Sequence, residues 1–354
     1  MAGSRPRVLL LIPSYAKVGI EEDVRSDRHP TMDYHALQAA LGADLADYAS
    51  VDSAREPLVR TMRRFGRDVG LAALGFVRRE AYDAIYSNGE NVSIPLAALF
   101  RLTRRRPAHV LIGHHLSTPK KQALLRMLHT QMDGILVYAE TQRAHAVHAL
   151  GIPADKVHLI AFHADHRFYR PMDAAPSRMI CSAGLEWRDY PTLIEAVRGL
   201  DVDVRLAAAS PWSKHRDETR ERELPPNVSA RRYEYNELRS LYAQALFVVV
   251  PLYDNDFQAG VTTLLEAMAM GKAVVITRTQ GQKDVVRDGV DGLYVPPGDA
   301  SALRAAILSL VENPDRCLRM GQKARQALEA GMTLDHWVQR VSKVVVDAVA
   351  ARAA

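Results

Sequence analysis

Residues 251–275 read PLYDNDFQAGVTTLLEAMAMGKAVV, and a single carboxylate, Glu266, stands there among Leu264, Leu265, Ala267, Met268 and Met270. An ionised carboxylate in apolar company is costly unless a charge or a hydrogen-bond donor meets it. Gln258 stands eight residues earlier, and Gly260 precedes a helix start at Thr262 or Thr263. The first-turn amides of Val261, Thr262 and Thr263 lack intrahelical partners and carry the positive end of the helix dipole, which suits a phosphate. Gly260 lets a ligand approach the backbone closely. Glu266, one turn further in, is a bidentate acceptor suited to the two hydroxyls of a ribose. One helix can thus hold a pyrophosphate at its tip and a nucleoside on its side. The alternative is that Glu266 faces water. Asp254 and Asp256 form an Asp-x-Asp pair that could bind a divalent cation with a diphosphate. The helix tip can do the same electrostatic work, so no metal is expected.

The surrounding pattern supplies elements to position such a helix. Short apolar strands are expected at 7–12, 47–51, 84–87, 108–112, 134–138 and 157–161. They resume at 178–183, 203–208, 228–232, 246–251, 273–276 and 293–295, with amphipathic helical stretches between them. This alternation implies parallel sheets covered on both faces by helices. It occurs twice, and RFYRPMDAAPSR (167–178) reads as a linker between the halves. The expected class is α/β, two doubly wound Rossmann-like domains facing across a cleft, with ligands beyond the carboxyl ends of the strands. The boundaries are placed at 1–170 and 178–332. A helical apolar stripe from Trp337 to Ala348 then marks a last helix, which should pack on something.

Composition narrows the class. The 354 residues are 48% hydrophobic and 25% charged, as in soluble globular proteins, and too many for one ordinary core. Cys181 and Cys317 are too few and too far apart for a disulfide framework, so a reducing cytoplasm is expected. The apolar run Val8–Ile12 reads as a buried strand, and no segment is long enough to span a bilayer. Residues 1–172 carry 23 Lys+Arg against 17 Asp+Glu, and residues 173–354 carry 23 against 24. The basic half holds Arg60, Arg63, Arg64, Arg67, Arg78 and Arg79 around Val69–Val77, and the run Arg104-Arg105-Arg106. These suit either a peripheral contact with anionic lipid or an acidic acceptor, or else a solvated helix face. No recognition motif or basic-aromatic platform accompanies them, so no nucleic acid is expected. No Gly-x-Gly-x-x-Gly follows the first strand at LIPSYAKVGIEE (11–22), which disfavours a nicotinamide dehydrogenase.

GVTTLLEAMAMGKAVV (260–275) followed by TQGQKDVVRDGVDGLYVPPGDASALRAAI (279–307) resembles the nucleotide-binding domain of GT-B glycosyltransferases, most closely the retaining family 4. SAGLEWRDYPTLIEA (182–196), NELRSLYAQALFVVVP (236–251) and residues 133–171 extend the resemblance over about 108–345. By it, Glu266 takes the place of the ribose-binding Glu, and Gln258 that of a Glu contacting donor-sugar hydroxyls. Arg188 stands where the family has a donor-phosphate Lys or Arg, a role a guanidinium fork suits. The family's second basic residue is absent, with Leu185 near its place, and Lys214 is a candidate substitute or an exposed loop cation. Gly184 permits the strand-to-helix turn. Backbone near Tyr233 takes the place of the base-recognition segment. His114 matches a His facing the transferred sugar, the alternative being a surface pair with His115. The final helix, 333–354, is implied to pack back on the N-terminal domain. Gly19 stands alone where the family has a Gly-Gly.

The implied function is sugar transfer from a nucleoside-diphosphate donor, UDP-sugar favoured, to a small-molecule, glycan or lipid-linked acceptor, with retention of configuration. The donor belongs to the C-terminal domain and the acceptor to the N-terminal one. His114, Gln258 and Arg188 are the candidate catalytic residues. Gly184, Arg188, Lys214, Tyr233, Gln258, Gly260, Val261, Thr262 and Glu266 are the candidate donor-binding residues. Asp33, His35 and Glu90 are acceptor-side candidates, and Asp256 is a substitute for the charge that Gln258 lacks. An amide cannot supply negative charge to an oxocarbenium-like centre. This leaves two other readings: a catalytically weakened nucleotide-sugar binding protein and a GT-B nucleotide-sugar epimerase.

Overall fold

The structure is a computed structural model that describes residues 5–174, 177–208 and 224–353. The strands are β1 Val8–Leu11, β2 Asp44–Ala46, β3 Ala84–Asn88, β4 Ala108–Ile112, β5 Gly134–Val137 and β6 Val157–Leu159. A second set follows: β7 Met179–Ala183, β8 Asp203–Ala207, β9 Val228–Ala230, β10 Phe247–Val250, β11 Ala273–Thr277 and β12 Leu293–Val295. They form two parallel sheets of six strands, ordered β2-β1-β3-β4-β5-β6 and β12-β11-β10-β7-β8-β9. Helices connect the strands, so each sheet is buried on both faces. This is why β10 reads Phe-Val-Val-Val with no polar alternation and lies wholly inside.

The chain divides into two compact units. Unit 1 comprises Met1–Gly19, Met32–Ala161 and Trp337–Ala354, and unit 2 comprises Ile20–Thr31 and Phe162–His336. In unit 1 the last helix, Leu334–Ala353, contributes Trp337, which is buried and donates its Nε1–H to the Tyr138 hydroxyl at 3.2 Å. In unit 2, Phe168 and Tyr169 sink into the core with Leu264 and Met268. That burial is why residues 162–170, assigned to the first half from their pattern, cluster with the second. Residues 20–31 also belong to unit 2. Asp27 there receives the Arg170 fork at 3.0 and 2.7 Å and Arg239 Nη1 at 2.8 Å. Hydrogen bonding from Arg170 foremost, with Arg239, holds its carboxyl down at about 2.

One expected strand is a helix. Residues 47–51 fall in Tyr48–Asp52, and the strand lies just before, at 44–46. Asp47 accepts from the Ser50 amide at 2.9 Å while Ser50 Oγ answers the Asp47 amide. This reciprocal cap starts a helix where apolar content alone suggested a strand. The stretch Val69–Val77 lies in helix Arg67–Arg78, which turns Gly70 to Gly75 into the core of unit 1. Arg60, Arg63, Arg64 and Arg67 stay exposed beside Phe65, which is 77% exposed. Arg106 is committed to Asp133. Among the described residues no helix is long and apolar enough to cross a membrane.

Candidate active site

In unit 2 the strand order reverses between β7 and β10, so their carboxyl ends form the switch point at which doubly wound sheets bind ligands. Beyond β10 the chain runs through residues 251–259 and turns into helix Val261–Ala269. Gly260 is its N-cap at φ 76°, ψ −1°, and no side chain caps the helix. A side chain at Gly260 would be strained by that φ and crowded, because a Cβ would lie 2.7 Å from Val250 Cγ1. The tip therefore presents bare backbone. Val261 is buried and Thr262 exposed.

Arg188 lies directly under this tip. It is 7% exposed, and each of its nitrogens makes one hydrogen bond: Nε donates to the Ala183 carbonyl at 2.8 Å, Nη1 to the Glu186 carbonyl at 2.7 Å and Nη2 to Thr263 Oγ1 at 3.1 Å. All three partners are uncharged. Burial pushes its pKa below the ordinary arginine value. Gly184, at φ 91°, gives it room: a Cβ there would stand 2.6 Å from Nη2. Gly184 and Gly260 thus do more than turn the chain, since both flank the guanidinium. A desolvated cation with neutral partners, beneath the positive end of a helix, is a strong electrostatic demand for an anion.

Glu266 does not face water. It is 8% exposed and accepts from the Tyr242 hydroxyl at 3.0 Å. Tyr169, whose ring stands 6.2 Å from that of Tyr242, acts on the same carboxylate. Burial lifts Glu266 to about 7, against the opposing pull of Tyr242, Tyr169 and Arg188. The Thr263 hydroxyl accepts from Arg188 Nη2 and donates to the Ala183 carbonyl at 3.3 Å, the same carbonyl that Arg188 Nε meets. Gln258 is half-buried, and its Oε1 has no hydrogen-bond partner. Asp254 and Asp256 are exposed. Tyr233 is half-buried with the Arg231 guanidinium stacked 3.6 Å above its ring. Lys214 lies outside the described residues.

Residue types and spacing did not point to Tyr242, Tyr169, Gln282 or the hydroxyl of Thr263. The signal for the tyrosines would have been their need for a polar partner in an apolar core. Nothing local announced that the partner would be Glu266.

Unit 1 holds a second cluster at the ends of β3 and β4. His114 is half-buried, with Nε2 3.0 Å from Asn88 Oδ1. Desolvation lowers its pKa, opposed by Glu90. Glu90 is 3% exposed and accepts from the His115 amide at 2.5 Å and Lys121 Nζ at 3.2 Å. Burial resists its ionisation, but His114, Lys121 and the His115 amide outweigh it and hold the carboxyl low. Asp33 is shifted up by burial, with Tyr34, His114 and His35 opposing. Asp33, Glu90 and His114 are therefore neighbours in one electrostatic cluster. Gly19 stands apart, with open space around a would-be Cβ.

Residues 177–313 match the family model described as glycosyl transferases group 1. The matched segment contains Gly184, Arg188, Gln258, Gly260 and Glu266, and leaves out His114. Among curated proteins, an uncharacterised glycosyltransferase of Methanocaldococcus jannaschii is 26% identical over 135 residues, 38% of either chain. The first curated relatives are matched over only 16% and 38% of their own lengths. Among solved structures, sucrose-phosphate synthase from Thermosynechococcus elongatus superposes with a TM-score of 0.75 at 17% identity, covering 98% of this chain and 100% of that one. Anabaena HepE in complex with UDP and glucose gives 0.71 at 17% identity, covering 96% and 99%. The fold is GT-B, with two Rossmann-like units.

Proposed function

We propose that the chain transfers a sugar from a nucleoside-diphosphate donor, a UDP-sugar by preference, to an acceptor hydroxyl, with retention of configuration. The observation that carries this reading is the buried Arg188, hydrogen-bonded only to neutral groups beneath the uncapped tip at Gly260. A diphosphate on the amides of Gly260, Val261 and Thr262 supplies the missing negative charge. Glu266, one turn along, takes the ribose hydroxyls. Charge on the leaving diphosphate grows in the transition state, so a preorganised cation and helix tip favour the transition state over the ground state. The leaving phosphate removes the acceptor proton on the same face. The Gln258 amide orients sugar hydroxyls through its unpartnered Oε1. His114 keeps the role the resemblance gives it, toward the transferred sugar, and Asp33, His35 and Glu90 serve the acceptor side in unit 1. The reading needs no metal, because the guanidinium and the helix tip already supply positive charge.

That structures of Anabaena HepE hold UDP and UDP-glucose supports a uridine donor. Buried free Cys181 and Cys317 support a reducing, cytoplasmic setting. Exposed Phe65 among Arg60, Arg63, Arg64 and Arg67 supports peripheral contact with an anionic membrane and a lipid-linked or acidic acceptor. Gln258 favours a second reading, a nucleotide-sugar binding protein that turns its ligand over slowly, since the amide brings no negative charge to the reacting carbon.

Thermal melting against UDP-, GDP- and ADP-sugars tests the donor, because a ligand of the native state raises the melting point. A rise with UDP-sugars, followed by UDP release when acceptor is added, is the expected result. No rise with any nucleoside diphosphate would defeat the proposal. Slow release by wild type that Gln258→Glu accelerates would select the second reading.

A further inference from the structure

The loop that carries Gln258 and Gly260 has no regular structure of its own from 253 to 260. The end of β11 and the segment that follows it hold this loop and its base at three points. At its base, the Leu252 amide donates to Thr277 Oγ1 at 3.0 Å. In its middle, the Gly281 amide donates to the Asn255 carbonyl at 3.1 Å. At its end, next to the helix tip, Gln282 Nε2 donates to the Ala259 carbonyl at 3.1 Å.

Two further features set this contact apart from ordinary loop packing. Gly281 is pressed against the loop so closely that a Cβ would fall 2.2 Å from the Phe257 carbonyl oxygen and 2.3 Å from its nitrogen. Gln282 is 0% exposed, and its backbone amide is fixed by Thr279 Oγ1 at 3.1 Å, with Thr279 itself buried. The orientation of its side-chain amide follows from chemistry, since only the nitrogen can face a carbonyl oxygen. That leaves Gln282 Oε1 buried with no hydrogen-bond partner. An orphaned buried acceptor is destabilising. A buried glutamine that gives up one end to hold a neighbouring carbonyl is doing so at the expense of local stability.

We propose that Gln282 is a positioning residue: its buried amide, with Gly281 and Thr277, holds loop 253–260 in the shape that presents Gln258 and the Gly260 tip to the donor. The proposal rests on the donor-site reading above and adds a residue to it. Gln282 touches no donor itself. It acts by fixing the Ala259 carbonyl, one residue from each group that would.

The test is hydrogen–deuterium exchange on the full chain, which reads the loop without requiring activity. Gln282→Met keeps the volume and removes the donor. Amides 257–261 should then exchange at least tenfold faster, with β5 in unit 1 unchanged as the internal reference. Gln282→Glu is the second variant, and it guards against a fold too weakened to interpret. A protonated carboxyl restores an O–H donor toward Ala259, and an ionised one does not. Its exchange, corrected for the intrinsic pH effect, should match wild type at pH 5 and rise at pH 8. In the same samples UDP affinity should fall at least fivefold for Gln282→Met, and for Gln282→Glu at pH 8 only. Wild-type exchange at 257–261 in both variants overturns the clamp, whatever the chain binds. Faster exchange in a chain whose wild type binds no nucleoside diphosphate upholds the clamp and removes the donor reading instead.

Discussion

The Tyr242 hydroxyl donates to Glu266 Oε2 across 3.0 Å, with both side chains buried in unit 2. A carboxylate so placed is held near 7 by burial, despite Tyr242, Tyr169 and Arg188 all favouring its charge. It is a costly group for stability, kept at the point where a ribose would be gripped.

The cost has a pH signature. A carboxyl whose folded pKa is raised binds its proton more tightly folded than unfolded. Its contribution is most favourable below the unfolded value, near 4.3, and is lost as pH rises through about 7. The loss is on the order of 3 kcal/mol. Glu266→Gln has no such proton, so relative to wild type it should gain about that much stability between pH 4.5 and pH 8. Urea denaturation at the two pH values measures it. Parallel pH curves for the two proteins would contradict the assigned environment.

Tyr242→Phe removes a donor to the charged form. It should cost about 1.5–3 kcal/mol at pH 8, where the carboxylate is ionised, and clearly less at pH 5. Denaturation at both pH values checks the sign, and an equal loss at each would separate the tyrosine from the charge.

Arg188→Met should raise the dissociation constant for UDP at least tenfold, about 1.4 kcal/mol, by calorimetry. Arg188→Lys should recover only part of this, since an ammonium cannot span the Ala183 and Glu186 carbonyls and Thr263 Oγ1 together. Unaltered UDP affinity in Arg188→Met would take the residue out of the phosphate site.

Gly260 and Gly19 make a matched pair, at φ 76° and φ 78°. A Cβ at Gly19 meets nothing within 4 Å, whereas at Gly260 it meets Val250 Cγ1 at 2.7 Å. Gly19→Ala should cost only the left-handed backbone penalty, about 1–2 kcal/mol. Gly260→Ala should cost more and abolish the melting-point rise with UDP-sugars. Equal melting temperatures for the two variants would refute the crowding.

Much of this molecule was legible in its residues. Strands such as β4, β10 and β11 are fully buried, predominantly apolar runs whose length and spacing admit little else. The helix behind Gly260 was legible because glycine, an apolar period and one out-of-place acid coincide within a few residues. Local chemistry also decided Tyr48–Asp52, but there the Asp47 cap outweighed an apolar run that looked like a strand. What required the tertiary structure were meetings between distant residues. Arg188 and Thr263 meet because β7 and β10 are neighbours in the sheet, and Tyr242 reaches Glu266 from another element of the same core. Gln282 finds Ala259 only because β11 lies beside β10. Periodicity fixes which face of an element is buried, whereas the partner that a buried polar atom finds there depends on long-range strand order and register.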